Sequence, residues 1–143
     1  MMKHFAIEPN VGVGPIKLGM SKAEVIDLFG QPEFENNERT VYLSGFMVDF
    51  DELNHVEFIE VAKSDLFEAT YEGINLHNVS ASQAVEHVCK FDSYDNSDPE
   101  LGHSYIFKKL QLSLWRGTLP EDENDEDGKY FESVAIGVSN YFE

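Results

Sequence analysis

The sequence has few basic residues, and this shortage excludes several classes of ligand. Ten Lys and Arg stand against 27 Asp and Glu, which leaves a formal net charge of −17 in 143 residues. Such a chain repels nucleic acid phosphates and anionic membrane surfaces, and it attracts basic proteins. We therefore expect a basic protein as partner, with no nucleic acid and no membrane. The charge also has a plainer use, which is solubility.

Cysteine and long apolar runs are scarce as well. Cys89 is the only cysteine, so no intrachain disulfide can form, which suits a reducing compartment. The first residues lack the apolar core of a signal peptide, and no run approaches the roughly 18 apolar residues of a membrane span. These features predict a cytoplasmic protein in which Cys89 packs as a small apolar side chain.

The chain also lacks a recognisable catalytic or metal-binding constellation. No serine lies in a Gly-x-Ser-x-Gly turn, the five histidines are scattered, and one cysteine is too few for a typical zinc site. Carboxylates are so numerous that no pair of them is informative. We expect no enzymatic activity, no cofactor and no metal.

What the sequence does contain is a segment that recurs after about 59 residues. Residues 16–26 and 74–85 both predict a strand end, an N-cap and a helix. Each has a capping box, Ser21 with Glu24 and Ser80 with Gln83, in which the side chains and backbone N–H groups of two residues satisfy each other. Three strand-like runs follow each helix. The predicted fold is α+β, with two αβββ halves in one domain, antiparallel sheets and helices packed on one face.

The predicted elements are short. A composition of 42% hydrophobic residues with 11 Phe favours a folded globule of one domain, residues 1–143, with halves at about 1–63 and 64–143. The oligomeric state is not indicated. We predict helices at 21–29 and 80–89, and strands at 5–7, 39–43, 46–50, 55–62, 67–71, 104–108, 110–116 and 129–138.

One loop is strongly acidic, and it is a candidate contact surface. Between the last two predicted strands lie Glu121, Asp122, Glu123, Asp125, Glu126 and Asp127, here called the acidic loop. If Gly128 were the sixth residue of a calcium loop, the twelfth would be Val134 in place of the required Glu, and no helices flank it. The loop therefore favours a solvated hairpin tip or a surface for a basic partner over a calcium site.

Two aromatic residues and a second acidic segment complete the candidate site. In the predicted strand 110–116 the leucines alternate with Gln111, Ser113 and Trp115, so Trp115 points away from the leucine face. It either anchors a partner or covers the sheet under a helix or loop, and Tyr130 lies near it as a second anchor. The second candidate surface consists of Asp92, Asp95, Asp98 and Glu100.

Two resemblances to known families follow from these motifs. The pattern Gly19-Met20-Ser21-x-x-Glu24-Val25, with Gly30 and Pro32 after it, resembles the β-lactamase inhibitor protein and the SmpA/OmlA type of outer-membrane assembly lipoprotein. This chain departs from both, since it has no export signal and no lipidation cysteine near its start. Segments 67–74, 112–116, 131–134 and 137–141 resemble small bacterial proteins that look like immunity proteins against secreted polymorphic toxins.

The resemblance and the charge together indicate a function. We expect an immunity protein that occludes the cationic active site of a basic, nuclease-type bacterial toxin. The acidic loop would steer association, and Trp115 and Tyr130 would hold the complex. Two alternatives remain: a small-molecule or ion sensor with a pocket between the halves, and a housekeeping protein without a tight partner.

Overall fold

The computed structural model describes residues 3–36, 39–42 and 45–142. Within these residues it contains two helices and eleven strands, arranged in a four-stranded and a seven-stranded sheet. The predicted α+β class is confirmed. Parts of the predicted strand 39–43 and of the turn after it fall on Leu43 and Ser44, which lie outside the described residues.

The elements follow one another in a simple order. The first part of the chain has β1 (Lys3–Glu8), β2 (Gly12–Val13), β3 (Ile16–Lys17), α1 (Lys22–Phe29), β4 (Phe34–Glu35), β5 (Thr40–Tyr42), β6 (Phe46–Phe50) and β7 (Val56–Ala62). The second part has β8 (Phe67–Thr70), α2 (Ala81–Val88), β9 (Ser104–Phe107), β10 (Leu112–Trp115) and β11 (Ser133–Gly137).

Both helices begin at the predicted capping boxes. Ser21 Oγ accepts a hydrogen bond from Glu24 N at 3.2 Å, and Glu24 Oε1 accepts one from Ser21 N at 3.1 Å. Ser80 and Gln83 form the same reciprocal pair at α2. The first helix ends at Gly30, whose φ of 82° is a conformation that glycine adopts without strain. These local signals were sufficient to place both helices.

The small sheet was only partly predicted. Its strand order is β3-β2-β1-β8, and β1 and β8 run parallel, with Phe5 opposite Ala69. The sequence predicted β1 and β8, and it predicted a strand end at the start of residues 16–26, where β3 lies, but it missed β2. This two-residue strand lies among Gly12, Gly14 and Pro15, which have the composition of a turn.

The large sheet is antiparallel throughout, in the order β4-β5-β6-β7-β11-β10-β9. Residues 40–62 supply β5 to β7 and residues 104–137 supply β9 to β11, and the two groups meet where β7 pairs with β11. Strand β4 was not predicted. The internal repeat itself stays a prediction.

One face of the large sheet forms the main core with the helices. Val25 of α1 and Ala84 and Val88 of α2 belong to the same buried cluster as alternate residues of the central strands. Those sheet residues are Phe46, Val48, Ile59, Val61, Leu112, Leu114, Val134 and Ile136. Because side chains alternate along a strand, the residues between them point to the opposite face.

Two further observations concern sequence expectations. Cys89, expected to pack as an apolar side chain, is exposed at the end of α2, so that expectation was wrong. No helix among the described residues is long and apolar enough to cross a membrane.

Candidate functional site

The face of the large sheet that points away from the helices carries a mixture of apolar, small and charged side chains. We call it the open face. The register places one residue from each strand in a continuous row across it: Phe34, Val41, Met47, Glu60, Ala135, Ser113 and Ile106. A core face would be uniformly apolar, so this composition is that of a surface in contact with solvent or with a partner.

A trough of about 450 Å³ lies on the open face between β7 and β9. Its floor has small residues, Ala135, Ser113 and Ser133. One wall is Trp115, and the other is Phe58 with Phe142. The two walls lie four residues apart along the strand direction, about 13 Å at roughly 3.3 Å per residue. A volume of this size lies within the range of about 300–1,000 Å³ typical of ligand pockets.

Trp115 forms its wall because β10 alternates strictly. Leu112 and Leu114 are fully buried on the core face, whereas Trp115 on the open face keeps 43% of its surface exposed. The prediction that Trp115 points away from the leucines is confirmed. Among the described residues, no helix lies over this ring; its ring edge approaches Gly117 instead.

The second wall was not foreseen, because it joins Phe58 to Tyr141 and Phe142, which are distant from it along the chain. Tyr141 stacks on Phe58 with ring centroids 4.8 Å apart, and Phe142 meets Phe58 edge-on at 6.0 Å. Gln111 holds this segment in place, because its Oε1 accepts from Phe142 N at 2.7 Å and its Nε2 donates to Phe142 O at 3.2 Å. The one sequence signal of this clasp was a polar residue in the predicted strand 110–116; in the structure Gln111 lies just before β10, with a φ of 51°.

The third feature of the trough is a charged cluster at the β6–β7 side. Arg39 Nη1 lies 2.9 Å from Glu60 Oε1, and Arg39 Nε lies 3.5 Å from Asp49 Oδ1. Both carboxylates are only 17% exposed. Burial raises the pKa of Asp49; Arg39 opposes this, and the nearby Glu60 and Glu57 add to it. One guanidinium thus faces two carboxylates, which leaves the cluster with a negative excess.

The acidic loop is an ordered turn whose acids divide into two kinds. Asp125 accepts hydrogen bonds from Glu121 N and Asp127 N, both at 2.9 Å, and these backbone donors lower its pKa. Asp122 accepts from Asn124 N, and Glu126 pairs with Lys129 at 3.6 Å. The side chains of the remaining acids point outward and are exposed: Glu121, Glu123 and Asp127.

The second acidic segment, residues 92–100, is engaged mainly in its own architecture. Asp92 accepts hydrogen bonds from three backbone N–H groups, those of Ser93, Lys109 and Leu110. Asp95 accepts from the hydroxyl and the N–H of Ser97, which lower its pKa, and it pairs with Lys108. Of the four predicted acids, Glu100 is exposed and the other three are half-buried.

The structure brings most of the predicted site residues to one end of the open face. Asp98 Oδ2 accepts from Ser104 Oγ at 3.0 Å, and Ser104 lines the trough beside Trp115. Arg116 donates to Gly102 O and to Gly128 O, so one guanidinium joins the segment 92–104 to the end of the acidic loop. Tyr130 is exposed near Lys129 but is not among the described residues that line the trough.

Within residues 3–36, 39–42 and 45–142, no group of three or more His, Cys, Asp or Glu side chains is arranged to hold a metal ion.

In comparisons with known proteins, no family profile matches the chain, and no curated protein and no solved structure matches it either.

Proposed function

We propose that this protein is a binding module for a basic protein, and that the open face is its docking surface. The observation that carries the proposal is the trough itself, in which a half-exposed Trp115 stands beside small residues and a carboxylate. Aromatic side chains in such pockets are frequent anchors of protein interfaces. The net charge of −17 indicates the sign of the partner.

The two parts of the site have separate tasks. The exposed carboxylates Glu121, Glu123 and Asp127 attract a cationic surface over a distance and increase the association rate. The trough contributes short-range contacts, which determine how slowly the complex dissociates. Loss of the loop charges therefore lowers the association rate, and loss of Trp115 raises the dissociation rate.

We further propose, from the resemblance to immunity proteins, that the partner is a nuclease-type toxin. A nuclease needs a cationic groove to hold phosphates. An acidic surface seated in that groove would exclude the substrate by steric occlusion. The acids near Trp115 and the low number of basic residues support this reading, which identifies the bound region of the partner as its substrate groove.

Affinity capture with matched variants tests the proposal. Wild-type protein, Trp115→Ser and Leu28→Ser are immobilised and exposed to lysate of the native organism, and bound proteins are eluted with rising salt. Leu28, 52% exposed against 43% for Trp115, is an apolar residue on α1, away from the open face, and it serves as the control. We expect one basic protein to be retained up to about 1 M salt, where charges are screened within about 3 Å.

Retention by wild type and Leu28→Ser, with loss in Trp115→Ser, supports the docking surface. Release of many different basic proteins at low salt contradicts a dedicated partner. Equal retention by wild type and both variants contradicts the assignment of the open face as the docking surface. The captured protein is then assayed for nuclease activity with and without one equivalent of this chain. Activity that is absent, or unaffected by the addition, rejects the toxin part of the proposal alone.

A ligand sensor is the second candidate function, and a pocket of about 320 Å³ favours it. The pocket lies where residues 62–65 connect the predicted halves, and its polar lining includes Glu68, Asn75 and the buried His77. Thermal stabilisation by a metabolite library tests this alternative, because a ligand of the native state raises the melting temperature. Saturable stabilisation that Asn75→Ala removes would favour the sensor over the binding module.

A further inference from the structure

The trough combines two apolar walls with the carboxylate of Glu60, which lies at one end paired with Arg39, and this combination defines what fits it. Between Trp115 and the Phe58–Phe142 wall, the floor residues Ser113 and Ala135 leave space above the sheet. Glu60 lies beside Ala135 in the same row, so the floor leads directly to its carboxylate. An occupant thus passes along an apolar channel and ends at a negative charge.

The charge at that end is not balanced by the chain itself. Among the described residues, Arg39 is the one basic group paired with Glu60 or Asp49, and its Nη1 is bonded to one oxygen of Glu60. A purely apolar occupant would cover these carboxylates without compensating them, which is costly. An acidic occupant would face two carboxylates in a molecule of net charge −17.

We propose that the trough receives a single arginine side chain of the basic partner, with its methylenes between Trp115 and Phe142 and its guanidinium at Glu60. This rests on the proposed function, and it names the group that the open face recognises. Arginine matches each part of the trough. Its stem covers apolar surface such as the tryptophan ring, and its fork of donors fits the free oxygen of a carboxylate.

Trp115 is the only tryptophan, so its fluorescence reports on the trough. The probe is N-acetyl-arginine amide, and N-acetyl-citrulline amide serves as a matched probe in which an uncharged urea replaces the guanidinium. Titrations are followed by Trp115 emission and by amide NMR shifts of the ¹⁵N-labelled protein. For a ligand of this size we expect a Kd on the order of 1 mM, with saturable shifts at Ile106, Ser113 and Ala135.

Two variants that remove the same charge separate the trough from the general field. Glu60→Gln removes the proposed partner of the guanidinium, and Glu86→Gln removes an exposed acid of α2, on the side of the sheet away from the open face. We expect Glu60→Gln to weaken the arginine probe about fivefold, as for a partly exposed ion pair, and Glu86→Gln to leave it unchanged. If Glu60→Gln fails to fold, Ser113→Leu decides, since it fills the floor without changing the charge and should abolish the saturable shifts.

Several results would overturn the inference. The first is equal binding of the citrulline and arginine probes. The second is a set of NMR shifts centred on residues 92–100 and 121–127, with no shifts at the residues of the trough. The third is NMR shifts in the trough produced by N-acetyl-glutamate amide in place of the arginine probe. The proposed function fails separately, if no basic protein is captured or if Trp115→Ser captures it as well as wild type does. A partner that needs Trp115, together with an arginine probe that avoids the trough, would reject the inference and leave the function standing.

Discussion

Leu114 and Trp115 are neighbours on β10, but they lie on opposite faces of the same sheet and serve different purposes. Leu114 is fully buried beneath the helices, whereas Trp115 is almost half exposed and lines the trough. Most of the hydrophobic stabilisation comes from the first face. The second face exposes apolar surface beside charges, which is a feature of binding surfaces. Stability and binding should therefore be separable by mutation.

The largest expected effect tests this separation directly. Leu114→Ala should lower the free energy of unfolding by about 2–5 kcal/mol, because it leaves a cavity in the core. Trp115→Ala should cost about 1 kcal/mol or less, as at an exposed site, while it removes partner binding. Urea unfolding followed by far-UV circular dichroism measures both. Equal losses of stability would mean that the open face is a second core.

The clasp, the pair of hydrogen bonds between the Gln111 side chain and the Phe142 backbone, holds one wall of the trough, and its loss should have the next largest effect. Gln111→Asn keeps a residue that tolerates the positive φ of 51° but is too short to reach Phe142. Loss of these partly buried hydrogen bonds should cost about 1–3 kcal/mol. Gln31→Asn at an exposed position is the control. An unchanged melting temperature, with unchanged NMR signals of Phe142, would show that the clasp is dispensable.

The two acidic segments should differ in a smaller way. Asp92→Ala removes the acceptor of three backbone N–H groups and should cost about 1 kcal/mol. Glu123→Ala should change stability by no more than about 0.5 kcal/mol, and it should slow association with the partner. Thermal unfolding and stopped-flow binding measure the pair. If Asp92→Ala were as stable as wild type, or if Glu123→Ala associated as fast as wild type, the distinction between structural and steering acids would be wrong.

The smallest effect concerns pH. His77 is buried and its Nε2 donates to Val61 O at 3.0 Å; burial lowers its pKa below the ordinary value. The native state therefore binds this proton less readily than the unfolded state. The contribution of neutral His77 to the free energy of unfolding is fully present above the unfolded pKa of about 6.5. It declines as the pH falls below that value towards the folded pKa. Burial instead raises the pKa of Asp49, which opposes this trend at more acidic pH.

Melting temperatures between pH 7.5 and 5.5 check this direction. We expect wild type to lose stability over this interval, and His77→Gln, which cannot be protonated there, to lose less. Parallel curves for the two proteins would show that His77 does not contribute to the pH dependence.

Most of the long elements were predictable, because their signals are local. Two capping boxes located the helices, and alternating leucines located β10 and the direction of Trp115. Strands β2 and β4 were missed, since a strand of two residues carries no periodicity and depends on its neighbours. The exposure of Cys89 was also missed, because an average burial tendency does not describe a helix end.

The candidate site was predicted only in part. The acidic loop and Trp115 were identified from composition and alternation, but the Arg39–Asp49–Glu60 cluster and the Phe58–Phe142 wall were not. Nor did the sequence indicate that Asp92 and Asp95 are committed to local hydrogen bonds. Charge is visible in a sequence, whereas the partner of each charge depends on residues that are distant along the chain.

The helix starts, the two faces of the main strands and the sign of the charge can all be read from short stretches of sequence, because caps, alternation and ionisation are properties of a few adjacent residues. The placement of Phe58, Trp115 and Phe142 around one trough, with Glu60 at its end, follows from the folded arrangement alone. The register of β7, β11 and β10 and the hydrogen bonds of Gln111 bring these residues together. Such pairings are set by cooperative packing over the whole chain, which no short segment encodes.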